Sequence, residues 1–256
     1  MLKFFRKIRY DLMEKNKSGK PAWPAGRYFK YAIGEIVLVV IGILIAIQLN
    51  TLKNKNDKRN EEITHLENIL SDLIQDQTAL IKIIERRKAK SESAKIMEGY
   101  YHLKKVDNLN DYYSNWTNVL YWEAHNPSFI TFKELINAGK LSSLSNEKVK
   151  QLLLQIDDNY NELFEVRKHM YDDYSEYLYS PFADIVDYEN AIIAWSEPNK
   201  DIELSREDVE TALKSKRIKN GFTLANFNNN LLTGQLTKIL TKVDATIVLI
   251  EQEIKK

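Results

Sequence analysis

Four stretches of the chain carry a hydrophobic pattern strong enough to predict elements. The first is residues 31–49, Y-A-I-G-E-I-V-L-V-V-I-G-I-L-I-A-I-Q-L, in which 36–47 is apolar on every helical face. As a helix it measures about 28 Å, against a hydrocarbon core about 30 Å thick. It is predicted to cross a membrane. The second runs through Ile63, Leu66, Leu70, Leu73, Gln77, Leu80 and Ile84 in steps of three and four. That spacing gives a helix with a narrow apolar seam, continuing from the first across the polar residues 50–60 as a stalk. The third covers Val149, Leu153, Ile156, Tyr160, Leu163, Arg167, Met170 and Tyr174. The fourth covers Leu236, Leu240, Val243, Ile247, Ile250 and Ile254.

Alternating, strand-like patterns are hard to find, and glycine and proline are scarce. The predicted fold is all-α: one transmembrane helix, then an extracytoplasmic antiparallel helical bundle built on a long stalk helix. The domains are residues 1–30, a cytoplasmic basic amphipathic segment; 31–49, the transmembrane helix; and 50–256, the extracytoplasmic helical domain. Parallel dimerisation of the stalk is the competing arrangement, so pairing within or between chains stays open. Shorter helices are expected between the seams. Thr131 with Glu134 and Ser205 with Asp208 have N-terminal capping spacing. Ser180-Pro181 resembles a helix start, Ala138-Gly139-Lys140 a stop, and Asn220-Gly221 a turn.

Charge sets the orientation. Lys3, Arg6, Lys7, Arg9, Lys15, Lys17, Lys20, Arg27 and Lys30 precede the span, opposed by Asp11 and Glu14. After it, Lys53, Lys55, Lys58 and Arg59 are interleaved with Asp57, Glu61 and Glu62. The positive-inside rule then puts the N-terminus in the cytoplasm. Leu2, Phe5, Ile8 and Leu12 lie at helical spacing among the basic residues, as in a helix lying on an anionic leaflet. Trp23, Tyr28 and Tyr31 suit the interface.

Glu35 is the one carboxylate in the span and falls on one helical face with Gly42 and Ala46. Small residues four apart let helices approach closely, so Glu35, Gly42 and Ala46 are candidates for a helix–helix contact in the membrane. Pairing of Glu35 with Lys30 or Arg27 near the headgroups is the alternative.

The stretches K-F-F-R-K-I-R and R-Y-F-K-Y-A-I-G-E-I-V-L-V-V-I-G-I-L-I-A-I-Q-L-N resemble a family of bitopic inner-membrane proteins of unknown function from a Gram-negative lineage. T-F-K-E-L-I-N-A-G-K-L, residues 131–141, is similar to a recurring segment of that family, more loosely. The resemblance implies a bacterial inner membrane, a periplasmic helical domain and no catalytic residues to carry over.

Formal net charge is only +1 over 256 residues, which gives no basic face for nucleic acid. The chain has no cysteine, so disulfides, thiolate metal sites and a cysteine nucleophile are excluded. Glu62 and His65 have one E-x-x-H spacing, but a di-iron bundle needs two. No motif nominates an enzyme, a metal or another cofactor. Tyrosine and tryptophan are concentrated in the middle of the chain, with Tyr112, Tyr113, Trp116, Tyr121 and Trp122 as one cluster and Tyr171, Tyr174, Tyr177 and Tyr179 as another. Each combines apolar area with a polar tip, so the first cluster is a candidate partner or ligand surface. The function expected is a membrane-anchored interaction, scaffold or accessory subunit, in contact with the bilayer and with either a second copy or a membrane-protein partner. The alternative is a ligand-sensing bundle that signals through a membrane partner.

Overall fold

The computed structural model describes residues 24–197 and 204–256, with the side chains of 24–31, 194 and 195 outside the description. The amphipathic segment with Leu2, Phe5, Ile8, Leu12 and Trp23, and the side chains of Tyr28 and Tyr31, therefore lie outside the described residues. Every regular element among the described residues is helical: α1 (Pro24–Leu103), α2 (Leu109–Leu120), α3 (Ile130–Asn137), α4 (Glu147–Tyr174), α5 (Ser180–Ala183), α6 (Tyr188–Ser196), α7 (Arg206–Leu213) and α8 (Lys216–Ile254). A 3-10 turn, Leu141–Ser143, precedes α4, and a π-helical turn, Ser175–Tyr179, joins α4 to α5.

The chain divides into two compact units, Met1–Arg59 and Asn60–Lys256. In the first, α1 is long and apolar enough to cross a membrane. Its most apolar window has a mean hydropathy of 2.6, and none of that window is buried. Ile36, Leu44 and Ile47 are each more than half exposed. In water such a surface would far exceed the few hundred Å² that soluble monomers leave open. An apolar surrounding is what this segment is compatible with.

The second unit has one hydrophobic core, to which α1, α4 and α8 contribute most. Along α4 the buried residues are Val149, Leu153, Ile156, Tyr160, Leu163, Met170 and Tyr174, with Arg167 half-buried, which is the spacing expected from the sequence. Along α1 the buried column is Glu62, Leu66, Ile69, Leu73, Asp76, Leu80, Ile83, Arg87, Lys90, Ala94, Met97 and Tyr101. Leu66, Leu73, Leu80 and Ile84 are buried, as the sequence predicts. Ile63, Leu70 and Gln77 are half-buried neighbours of the true seam. The same one-residue displacement occurs on α8, where Ile239, Thr246 and Glu253 are buried and Leu240, Ile247 and Ile254 flank them. Both helices carry an apolar stripe wider than their seam. Each fully buried large apolar side chain contributes roughly 1.5–3 kcal/mol.

Helix ends follow local chemistry in most places. Asn108, Asn146, Asp187, Ser205 and Ser215 cap α2, α4, α6, α7 and α8 through their side chains. Gly139, at φ 66°, ends the α3 segment in the left-handed conformation that favours glycine. Thr131 is a correction: α3 starts one residue earlier, at Ile130, and no side chain of its own caps it. The Asp72 carboxylate on α1 does so from outside, accepting from the Thr131 N–H at 2.8 Å. Asn220-Gly221 is a second correction, since both residues lie inside α8.

Candidate functional site

Nine residues without secondary structure, 121–129, connect α2 to α3. An extended segment leaves its carbonyl groups needing donors, and a buried one cannot take them all from water. Here α1 supplies donors for the Tyr121 and Glu123 carbonyls, and α4 for that of His125. Lys90 donates to the carbonyls of Asn118 (3.0 Å), Val119 (3.5 Å) and Tyr121, closing the C-terminal end of α2. Arg87 donates to the Glu123 carbonyl at 2.7 Å and to Asn229 Oδ1 at 3.2 Å. The Arg86 guanidinium lies 2.8 Å from the Glu123 carboxylate. Lower down, Ser128 donates to Gln75 at 2.9 Å. From the α4 side, Arg167 donates to the His125 carbonyl at 3.1 Å. The segment is a strap, laid along α1 and held by α1 and α4.

Two polar groups sit inside the core beneath it. In one, His125 Nε2 lies 3.1 Å from Asp76 Oδ1, while the Tyr160 hydroxyl donates to the other Asp76 oxygen. Asp76 is fully buried, and the His125 side chain is 5% exposed. Burial pushes the Tyr160 hydroxyl well above its ordinary value, and the Asp76 carboxylate adds to this. These are acid–base residue types, but they face one another and not an opening. In the other, Asn229 donates to the Tyr174 hydroxyl (2.9 Å) while accepting from Arg87. The Arg87 guanidinium also lies 5.7 Å from the centre of the Trp122 ring.

Burial also pushes the Lys90 ammonium down to about 7, with the neighbouring Arg87 charge adding to the effect and Glu123 opposing it. An unfolded lysine keeps its proton to about 10.5. Between those values the unfolded chain binds more protons, so stability rises with pH. The cost of burying the charge is complete below about 7 and is relieved toward 10.5. The expected result is that Lys90→Met flattens this rise by up to about 1.4 kcal/mol per pH unit. Denaturant titrations of both proteins from neutral to alkaline pH measure it.

The five aromatic residues singled out from the sequence divide in two. Tyr112, Tyr113 and Trp116 are each at most 2% exposed. Trp116 stacks on Tyr188 of α6 at 5.4 Å and meets Phe182 edge-on at 5.2 Å. These three are core, because α2 turns that face onto α6 and α5. Tyr121 and Trp122 are at the surface, 43% and 36% exposed. Trp122 meets Tyr171 of α4 edge-on at 5.9 Å. Phe164, two helical turns before Tyr171 on the same face, is 62% exposed. Trp122 and Tyr171 thus make an aromatic surface between the strap and α4, with Tyr121 and Phe164 exposed on the same two elements. Sequence reasoning passed over Phe164, Asp76, Arg87 and Lys90. The last three lie at seam spacing from Leu73, Leu80 and Ile83, and that was the available signal.

Glu35, Gly42 and Ala46 are exposed on α1, and a methyl group added at Gly42 would meet nothing within 4 Å. Glu62 and His65 serve locally: Glu62 accepts from the Ser145 N–H, and His65 lies 3.6 Å from Glu61. Among the described residues no three histidines or carboxylates gather as a metal site. A surface depression of about 200 Å³ lies between Lys104, Lys105, Arg206 and Leu213. It is smaller than the roughly 300–1,000 Å³ of ligand pockets.

A family of unknown function, DUF6090, matches residues 35–181, more than half of the chain. The chain belongs to that family. The DUF6090 region opens at Glu35 within the apolar part of α1 and closes at Pro181 in α5. It therefore contains the strap and all four residues of the aromatic surface, whereas α8 lies beyond it. No curated protein and no solved structure matches the chain.

Proposed function

We propose that this protein is a single-pass inner-membrane protein with a cytoplasmic N-terminus and a periplasmic antiparallel helical bundle, and that it serves as an interaction or accessory subunit and not as an enzyme. The observation that carries the reading is the uncovered apolar stretch of α1, which asks for lipid around it. The basic flank before the span supports the orientation. The antiparallel arrangement is supported by Gln77 with Asp244, Arg87 with Asn229 and Glu98 with Asn226, partners whose numbers fall along α8 as they rise along α1. The binding role is supported by Tyr121, Trp122, Phe164 and Tyr171, an exposed aromatic surface on a braced support. In the membrane, Glu35, Gly42 and Ala46 would face a neighbouring helix.

Topology is tested first, in a chain that has no cysteine of its own. Ser18→Cys and Glu162→Cys are introduced separately and exposed to a membrane-impermeant maleimide in spheroplasts. Glu162→Cys is expected to react, and Ser18→Cys only after permeabilisation. The reverse result would sink the orientation. Cross-linking in membranes with mass spectrometry of the products then tests the binding role. A partner captured by the native chain should be lost from the Trp122→Ala/Tyr171→Ala double variant. Capture unchanged in that variant removes the aromatic surface from the proposal. Unchanged capture in Gly42→Ile does the same for the span.

A further inference from the structure

Four cations converge on the end of α2 and the first half of the strap: Arg86, Arg87 and Lys90 from α1 and Arg167 from α4. Arg87 and Lys90 are each 3% exposed, Arg167 is half-buried, and the Arg86 side chain is 43% exposed. Among the described residues one carboxylate is paired with this group, that of Glu123 on Arg86. The acids nearest in sequence lie on other columns. Glu85 and Glu92 are about 100° and 120° around α1 from Arg86, and Asp172 and Glu165 about 100° and 120° around α4 from Tyr171. Lys168 stands within a turn of both α4 acids and is balanced by them. Farther down, Asp72 accepts from the Thr131 N–H, and Asp157 pairs with Lys133.

The group is short of negative charge and has a donor to spare. Burial, with the Arg87 and Arg86 charges adding, pushes Lys90 down to about 7, and Glu123 opposes it. Burial also lowers Arg87, and Arg167 adds to that. Arg167 donates through Nη1 to the His125 carbonyl, but its Nε is buried and has no partner. Directly outside these cations is the aromatic surface. Lys90 lies 5.6 Å from the centre of the Tyr121 ring, and Arg87 5.7 Å from that of Trp122. Both cations are buried and both rings are exposed, so each ring has a cation on its inner side. A cation there draws the ring's negative potential inward, and the outer side then suits an anionic neighbour better than a cationic one.

We propose that this surface receives an acidic segment of a partner protein, with Asp or Glu carboxylates on Arg86 and Arg167 and an adjacent apolar side chain on Trp122 and Tyr171. The inference rests on the binding role already given to the aromatic surface and names the chemistry of its partner. Guanidinium groups offer a carboxylate paired N–H donors in one plane, and Arg86 and Arg167 border the aromatic pair from α1 and α4. A basic segment would add its charge to four cations already in surplus. An isologous second copy would bring the same cations against them.

Photo-cross-linking from p-benzoylphenylalanine in place of Phe164, in the full-length chain in its own membranes, tests it. Mass spectrometry identifies the joined segment, which is expected to hold more carboxylates than cations around the join. Raising the salt from about 0.05 to 0.5 M should lower the yield about tenfold, because screening shortens the reach of the charges. Arg86→Gln/Arg167→Gln should lower it about as far at low salt, and Arg86→Lys/Arg167→Lys, which keeps the charge, should lower it less. Lys53→Gln/Lys55→Gln removes equal charge from exposed positions elsewhere on α1 and should leave the yield unchanged. If circular dichroism shows the glutamine variant unfolded, the salt series and the joined sequence decide. A neutral or basic joined segment, a second copy of the chain, a yield indifferent to salt, a folded glutamine variant with native yield, or no product would each overturn the proposal. Capture that is lost from Trp122→Ala/Tyr171→Ala yet ignores salt and the glutamine variant would leave the binding role of the aromatic surface standing. Capture that ignores the alanine variant would remove both.

Discussion

Arg87→Ala is expected to destabilise the second unit by about 3 kcal/mol. Arg87 is 3% exposed and donates to two acceptors, the Glu123 carbonyl and Asn229 Oδ1. Truncation leaves both without this donor, at roughly 1–3 kcal/mol for each buried acceptor. It also removes the stem and guanidinium that lie against Trp122. Against these stands the relief of no longer burying a charge, since burial already lowers the guanidinium's affinity for its proton. The losses outweigh the relief because the acceptors stay in place while the donor goes. Equilibrium denaturation gives the size. Trp122 fluorescence should also change, since loss of Arg87 removes the guanidinium lying against its ring. Wild-type stability in the variant would mean that water replaces Arg87 and that Arg86, Lys90 and Gln75 hold the strap on α1 without it.

Arg87 also shows where sequence reasoning stops. The spacing of α4 was legible in full, because its seam is apolar except at Arg167. On α1 the seam includes Glu62, Asp76, Arg87 and Lys90. A charge at seam spacing predicts a solvent-facing position, and an apolar neighbour then takes its place in the expected seam. Beside Glu62 that residue is Ile63. The expected seam therefore shares Leu66, Leu73, Leu80 and Ile84 with the core and departs from it at Ile63, Leu70 and Gln77. The strap had no pattern to read. Residues 121–129 neither alternate nor repeat, and their course is fixed by donors more than thirty residues away in the chain. Trp122 and Tyr121 stand in one sequence cluster with Tyr112 and Trp116, and only the strap explains why they stay at the surface while Tyr112 and Trp116 are buried. The apolar stretch of α1, by contrast, is a property of composition over consecutive residues, and it is legible without any tertiary contact.

Gly221→Ala is the second large effect, and its sign is opposite to what the local sequence would suggest. Gly221 lies inside α8, where alanine is better than glycine by about 1 kcal/mol. A methyl group there would, however, sit 2.6 Å from Leu178 Cδ2 and 2.8 Å from the Tyr177 carbonyl oxygen. Leu178 is fully buried, and both residues belong to the π-helical turn Ser175–Tyr179. A side chain alone could rotate away, but a backbone carbonyl moves only with its turn. The wide turn brings the chain against α8, and glycine is what leaves room for it. Overpacking of this kind typically costs about 1–3 kcal/mol, so a net loss of about 2 kcal/mol is expected. Gly99→Ala is the matched control. It also lies within a long helix, with nothing within 4 Å of the added methyl. It should stabilise by roughly 0.5–1 kcal/mol. Thermal or urea unfolding of the two variants beside the wild type separates the cases. Equal shifts in the same direction would mean that the π-helical turn yields to α8, and that its position is not set by the missing side chain.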